Sequence, residues 1–254
     1  VDVRTAEREG ESRPLVVICH GFKGFKDWGF FPKVAERLAV AGFTAVSFNF
    51  SGSGVSDGDT FDQLDRWAHQ TLTGDLQDLN TVIEHLAPES FRRVGLLGHS
   101  RGGALAVLQA ARDRRVAALV TWAAVAGFMR WPEEEMRKWR DEGRIEVLNT
   151  RTGQLMPIYR QALDDFEANR ETLDVAAAAS RLRIPWLLAH GEADESVPFQ
   201  ESERLHAAAG GPVEFERVEG AGHTFGIKHP WSGSTPAFDA VLERTVQFFA
   251  RNLA

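Results

Sequence analysis

Apolar residues along this chain recur in two rhythms. Leu15-Val16-Val17-Ile18-Cys19 is an unbroken β-rich run, the pattern of a strand covered on both faces in a parallel sheet. Residues 43–48, 94–97, 116–122, 184–191 and 213–218 repeat it. Between these runs the period lengthens. Val34, Leu38 and Ala41 share one side of a segment that starts near Pro32 and stops at Gly42. Leu72, Leu76, Leu79, Ile83 and Leu86 step by four and three, which marks one face of a long helix. Residues 104–111 are helix formers throughout, and Phe238, Val241, Leu242, Thr245 and Phe249 mark a closing helix. Strands alternating with helices at this spacing predict an α/β chain, a doubly wound, mostly parallel sheet with helices on both sides, as one domain over residues 1–254.

One stretch breaks the alternation. Residues 123–182 are too long for a simple crossover and hold helix-prone pieces at 133–142 and 157–169, with an alanine-rich turn at 176–179. This insertion predicts a small helical lid; the plainer alternative is a decorative helical excursion.

Composition narrows the function. The 254 residues are 43% hydrophobic and 26% charged, enough for a full-sized core without staples. A net charge of -7 with no Lys/Arg cluster argues against a nucleic-acid or anionic-membrane partner. Cys19 is the single cysteine, so an intrachain disulfide and a thiolate metal cage are both excluded, and its apolar strand predicts burial. No apolar stretch reaches the roughly 18 residues of a membrane span, and the first residues lack the apolar centre of a secretory signal. A cytoplasmic monomer or homodimer is expected, although a start at Val1 leaves room for a removed address. The loop Asn49-Phe50-Ser51-Gly52-Ser53-Gly54-Val55-Ser56-Asp57-Gly58 imitates a nucleotide turn, but Asp57 stands where the third glycine belongs and no Gly-Lys-Ser/Thr follows.

Chemistry concentrates at Gly98-His99-Ser100-Arg101-Gly102-Gly103, between an apolar run and a helix former. Strand, sharp turn and helix is the implied order, with the serine held outward and glycines beside it where a Cβ would collide. The pattern alone is also compatible with a tight strand-to-helix connection. A serine hydroxyl needs a base whose pKa lies near working pH, and histidine supplies one. His223, glycine-framed after the last strand, fits that role; His229, followed directly by Pro230, is the rival. The imidazole in turn needs a carboxylate to fix its tautomer. Asp194 follows the strand that ends near His190, with Glu192 and Glu195 as alternatives. The order Ser100, Asp194, His223 matches that of the nucleophile-elbow hydrolases. The expected oxyanion donors are the backbone N–H groups of Phe22 and Arg101, whose side chains are then free to shape the pocket. His20 and His190 are expected to brace the loops they begin, and His99 to pack. His69, His85 and His206 lack a second ligand at metal spacing, so no metal or other cofactor is expected.

These residues carry a resemblance. From about Pro14 onward the chain is similar to α/β-hydrolases, in particular the lid-bearing esterases of the cinnamoyl/feruloyl esterase and dienelactone-hydrolase-like groups. It rests on His20-Gly21-Phe22, the Ser100 motif, His190-Gly191-Glu192-Ala193-Asp194-Glu195-Ser196-Val197-Pro198 and Gly220-Ala221-Gly222-His223-Thr224-Phe225. The resemblance implies an α/β-hydrolase fold with a lid, and a cofactor-free serine carboxylic-ester hydrolase acting through an acyl-enzyme on small-molecule esters. Phe128, Met129, Trp131, Trp139, Met156 and Tyr159 in the insertion, with Phe22, suggest an apolar pocket for medium acyl or hydroxycinnamoyl-type esters. The same triad would serve an acylaminoacyl-type peptidase or amidase, or a thioesterase; a silent binding module is the alternative outside enzymes. Two departures stand out. Only about a dozen residues precede the first apolar run, so the N-terminal edge strands are expected to be missing or much shortened, and Asn49-Phe50-Ser51 replaces the family's Asp-x-Arg.

Overall fold

The computed structural model describes residues 1–5, 13–56, 58–86 and 93–253; Asp57 lies outside them. Its centre is a seven-stranded sheet built from β1 (Asp2–Arg4), β2 (Leu15–Cys19), β3 (Thr44–Ser47), β4 (Val94–His99), β5 (Val116–Trp122), β8 (Trp186–Gly191) and β9 (Val213–Val218), in the order β1-β3-β2-β4-β5-β8-β9. All pairings are parallel except that of β1 with β3. Among the described residues the antiparallel edge of this sheet is the three-residue β1, pinned by the 2.8 Å ion pair of Asp2 with Lys26.

Side-chain alternation divides the core into two layers. Leu15, Val17 and Cys19 point to the face covered by α3 (Leu72–Leu86), α4 (Arg101–Arg112) and α7 (Val175–Arg181). Val16 and Ile18 point to the opposite face, under α1 (Phe31–Val40) and α9 (Pro236–Leu253). With both faces covered, every residue of β2 is buried, which is why its sequence is a continuous apolar run. Two further short helices complete this part of the fold, α2 (Leu64–Ala68) and the polar α8 (Gln200–Ala208), which carries His206.

The insertion differs from the helical expectation. It holds α5 (Glu133–Glu142), a β-hairpin of β6 (Arg144–Asn149) and β7 (Gln154–Tyr159), α6 (Gln161–Ala168) and then α7. Residues 157–159, expected to open a helix, complete β7 instead. Ile145 and Val147 on β6 and Met156 and Ile158 on β7 pack with Trp139 against Phe25, Phe61 and Trp67 of the body, a third apolar cluster. Alternation along β6 fits this one-sided burial, since Arg144, Glu146 and Leu148 face out.

Candidate active site

The site is assembled at the carboxyl ends of the parallel strands. Ser100 caps α4 directly after β4 at φ 56°, ψ -123°. This sharp turn works only without side chains around it: a Cβ on Gly98 would lie 2.3 Å from the Gly102 carbonyl oxygen, and one on Gly102 would lie 2.3 Å from that of His20. Among the described residues, the non-glycine positions with positive φ, Lys23, Ser100, Ala123 and Phe225, all fall in the loops at this edge. Each such conformation costs on the order of 1–3 kcal/mol, and residues so strained cluster at functional sites.

Asp194 sits in the loop after β8 and is tied on all sides. Its Oδ1 accepts the backbone N–H groups of Ser196 and Val197, each at 2.8 Å. Oδ2 accepts from His223 Nδ1 at 2.7 Å and lies 3.1 Å from His190 Nε2. Burial alone would raise the carboxyl pKa; the contacts with His190, His223 and the Val197 N–H outweigh it and hold Asp194 well below the usual carboxylate range. Because Nδ1 of His223 donates to this carboxylate, Nε2 is the free lone pair of a neutral ring. His99 secures the other side: its Nε2 donates to the His223 carbonyl at 2.9 Å, and the two rings lie 4.6 Å apart. Burial, and then the neighbouring His223, depress His99 to about 3, so it is neutral near pH 7. His99 thus does more than pack. His20 bridges two loops, through Nδ1 to the Gly21 carbonyl and Nε2 to the Phe50 N–H, and is held neutral by burial with its pKa near 4. His190 braces its loop through Ser202 and the Val197 carbonyl.

The alternatives stand elsewhere. Glu192 and Glu195 are exposed, with no contact to the His223 ring. His229 accepts from Gly29 N–H, lies 3.3 Å from Asp59 and stacks on Trp28. Where the family has Asp-x-Arg, Asn49 ties two loops by accepting the Lys26 N–H at 2.7 Å.

Ser100 and His223 line one cavity of about 440 Å³. No hydrogen bond joins Ser100 Oγ to the His223 ring, a looseness common where substrate completes the alignment. Of the residues expected on the pocket wall, Phe22, Phe128, Met129, Trp131 and Trp139 line it, whereas Met156 and Tyr159 do not. Met156 is fully buried beneath the hairpin, and Tyr159 packs edge-on to His69. Their spacing in sequence carried no sign of which side of β7 would face the body. Arg101 opens α4, where its backbone N–H has no intrahelical acceptor. The Gly21-Phe22 loop lies beside it, so close that a Cβ on Gly21 would be 2.9 Å from the Ser100 Cβ. The Arg101 side chain is not a solvated cation: it lies over the Phe22 ring, donates to Gln70 Oε1 at 2.7 Å and sits 2.9 Å from buried Asp75. Desolvation, opposed by Arg101, raises Asp75 to about 6. Sequence reasoning missed Asp75 because it reads there as one more polar position on an amphipathic helix. It also missed Lys23 and Arg130, which line the cavity. Among the described residues no group of His, Cys, Asp and Glu is arranged to hold a metal ion.

Comparison with known proteins agrees with this architecture. An uncharacterized 31.7 kDa protein from the traX-finO intergenic region of Escherichia coli is 33% identical over 113 residues, 44% of this chain. The match spans only 38% of that relative's length. Est1E of Butyrivibrio proteoclasticus, solved with ferulic acid bound, superposes with a TM-score of 0.77 at 20% identity, covering 99% of this chain and 94% of that one. A structure from the study of LipS and LipT, two metagenome-derived lipolytic enzymes, gives 0.74 at 20% identity, with 95% of each chain covered. The serine aminopeptidase S33 family matches residues 10–171. The nucleophile-type turn and the sheet order agree with that match: the chain belongs to the serine aminopeptidase S33 family and has the α/β-hydrolase fold.

Proposed function

We propose that this protein is a serine carboxylic-ester hydrolase that works through an acyl-enzyme, with Ser100, His223 and Asp194 as its triad. The observation that carries the reading is the 2.7 Å bond from His223 Nδ1 to Asp194, which leaves His223 Nε2 as a base in the cavity that Ser100 enters from a strained turn. His223 takes the Ser100 proton as Oγ attacks the ester carbonyl, and the tetrahedral oxyanion is met by the N–H groups of Phe22 and Arg101. Each donor of this kind is worth about 3 kcal/mol in the transition state. The same proton passes from His223 to the departing alcohol; a water then gives its proton to His223 and its oxygen to the acyl group, releasing the acid and restoring Ser100.

The family's name favours a second reading, hydrolysis of an amide bond next to a free amine. A free ammonium group calls for a carboxylate on the pocket wall, and among the residues that line this cavity there is no Asp or Glu. The five apolar residues Phe22, Phe128, Met129, Trp131 and Trp139 on that wall support an aromatic or medium acyl group, and the insertion that carries four of them acts as the lid. Est1E, with its bound ferulic acid, is similar in fold and supports the same assignment.

A fluorophosphonate probe tests the reading. It should label the wild-type chain and leave Ser100→Ala unlabelled, with ester hydrolysis lost and the fold intact by circular dichroism. An unlabelled wild type, or labelling that survives Ser100→Ala, overturns it.

A further inference from the structure

The wall of the cavity has an unbalanced charge. Lys23, Arg101 and Arg130 line it and no carboxylate does, in a chain whose net charge is -7. Arg101 is neutralised from behind by Asp75. The other two are not. Among the described residues Lys23 Nζ reaches the Leu148 carbonyl, at 3.4 Å, and Arg130 Nη2 the Ser196 carbonyl, at 3.0 Å, and neither forms an ion pair. The acids nearest Arg130 in sequence, Glu133, Glu134 and Glu135, are exposed on the first turn of α5 and do not line the cavity.

A carbonyl oxygen orients a cation without cancelling its charge. Two such cations at the rim of an apolar chamber, Lys23 half-buried and Arg130 exposed, therefore make a positive potential whose reach is set by salt, and such focusing concentrates anions. Lys23 is also held at φ 57°, a conformation that glycine or asparagine would adopt more cheaply. Half-burial lowers its pKa, the sign of an ammonium group partly stripped of water with no anion to replace it.

We propose that the substrate is an ester that also carries a carboxylate, held by Lys23 and Arg130 while Ser100 attacks the ester carbonyl. Lys23 comes from the loop that supplies the Phe22 N–H, and Arg130 from the start of the insertion, so the two cations approach from the body and from the lid. This inference rests on the ester-hydrolase reading for its chemistry, but the anion site stands on its own geometry.

Two measurements separate the claims. First, kcat/KM is compared for p-nitrophenyl hydrogen adipate and p-nitrophenyl hexanoate, with spontaneous hydrolysis subtracted. At low ionic strength the charged ester should be favoured by about tenfold, and the preference should shrink in 0.5 M salt as screening shortens the reach of the charges, by rough expectation. Lys23→Met and Arg130→Met should each lower the adipate-to-hexanoate ratio several-fold. Second, 4-phenylbutyrate and its neutral isostere 4-phenylbutanamide are titrated against the wild-type chain, followed by the fluorescence of Trp131 and Trp139 on the cavity wall. The acid should bind about tenfold more tightly, and lose that margin in both variants. Equal affinity for acid and amide, or an ester ratio unmoved by both substitutions, overturns the anion site while leaving the ester-hydrolase reading intact. Selective binding of the acid without hydrolysis of either ester upholds the anion site and overturns the ester reading.

Discussion

At the scale of single residues, Asp194 is the best-held group in the site. Four donors on one carboxylate fix the plane of the His223 ring before substrate arrives. Asp194→Asn keeps the shape but lets the amide donate to His223 Nδ1, which favours the tautomer with its proton on Nε2, the wrong one for a base. The expected loss in kcat is on the order of 10⁴-fold with little change in thermal midpoint, measured on the most reactive ester available. Glu195→Gln, made on an exposed side chain without contact to His223, serves as the control and should leave the rate within about twofold. His99 belongs beside Asp194 as a positioning residue, since it holds the backbone of His223 while Asp194 holds its ring.

At the scale of elements, the hairpin of β6 and β7 changes what the insertion is. It closes a hydrophobic cluster with the body, so it cannot be cut away as a loose cover. Met156→Ala should cost about 2–5 kcal/mol in urea unfolding, the range for truncating a fully buried side chain. That the central strands and the four main helices could be read from sequence follows from their burial: β2, β4 and β8 are covered on both faces, and α3 has a single apolar stripe. The hairpin could not be read in the same way. Its alternation spans only six residues per strand and is blurred by the apolar Leu148 and Leu155 at outward positions, while the following residues 161–168 carry a helical period that continues into Pro157 and Tyr159. That Ser100, Asp194 and His223 come together was legible because glycine frames and chain order constrain them. Lys23 and Arg130 were not, since only the fold brings a loop after β2 and the head of an insertion to one wall.

At the scale of the molecule, buried titratable groups set the response to acid. His20 and His99 have folded pKa values near 4 and 3, below the 6.5 of an exposed histidine. Below pH 6.5 the unfolded chain takes up protons that the folded chain refuses, so their contribution to stability is full above that pH and drains as it falls toward 4 and 3. Asp75 acts in the other direction. Its folded value near 6 exceeds the 3.8 of a free carboxyl, so folding is favoured as pH falls from 6 toward 3.8. Two rings against one carboxyl leave a net loss. The urea midpoint should drop between pH 7 and 4.5, less steeply in His99→Gln and more steeply in Asp75→Asn. A wild-type midpoint that rises over this interval would contradict the assignment.

The uncompensated wall of Lys23 and Arg130 also bears on how turnover ends. Hydrolysis converts any ester, charged or neutral, into an acid that is ionised near pH 7, so the leaving product always presents an anion to two waiting cations. Departure then competes with retention, and the slow step shifts from acylation toward product escape as salt is withdrawn. With p-nitrophenyl hexanoate, kcat should rise on adding salt, and added hexanoate should inhibit most strongly in dilute buffer; salt-independent inhibition would place the bottleneck elsewhere.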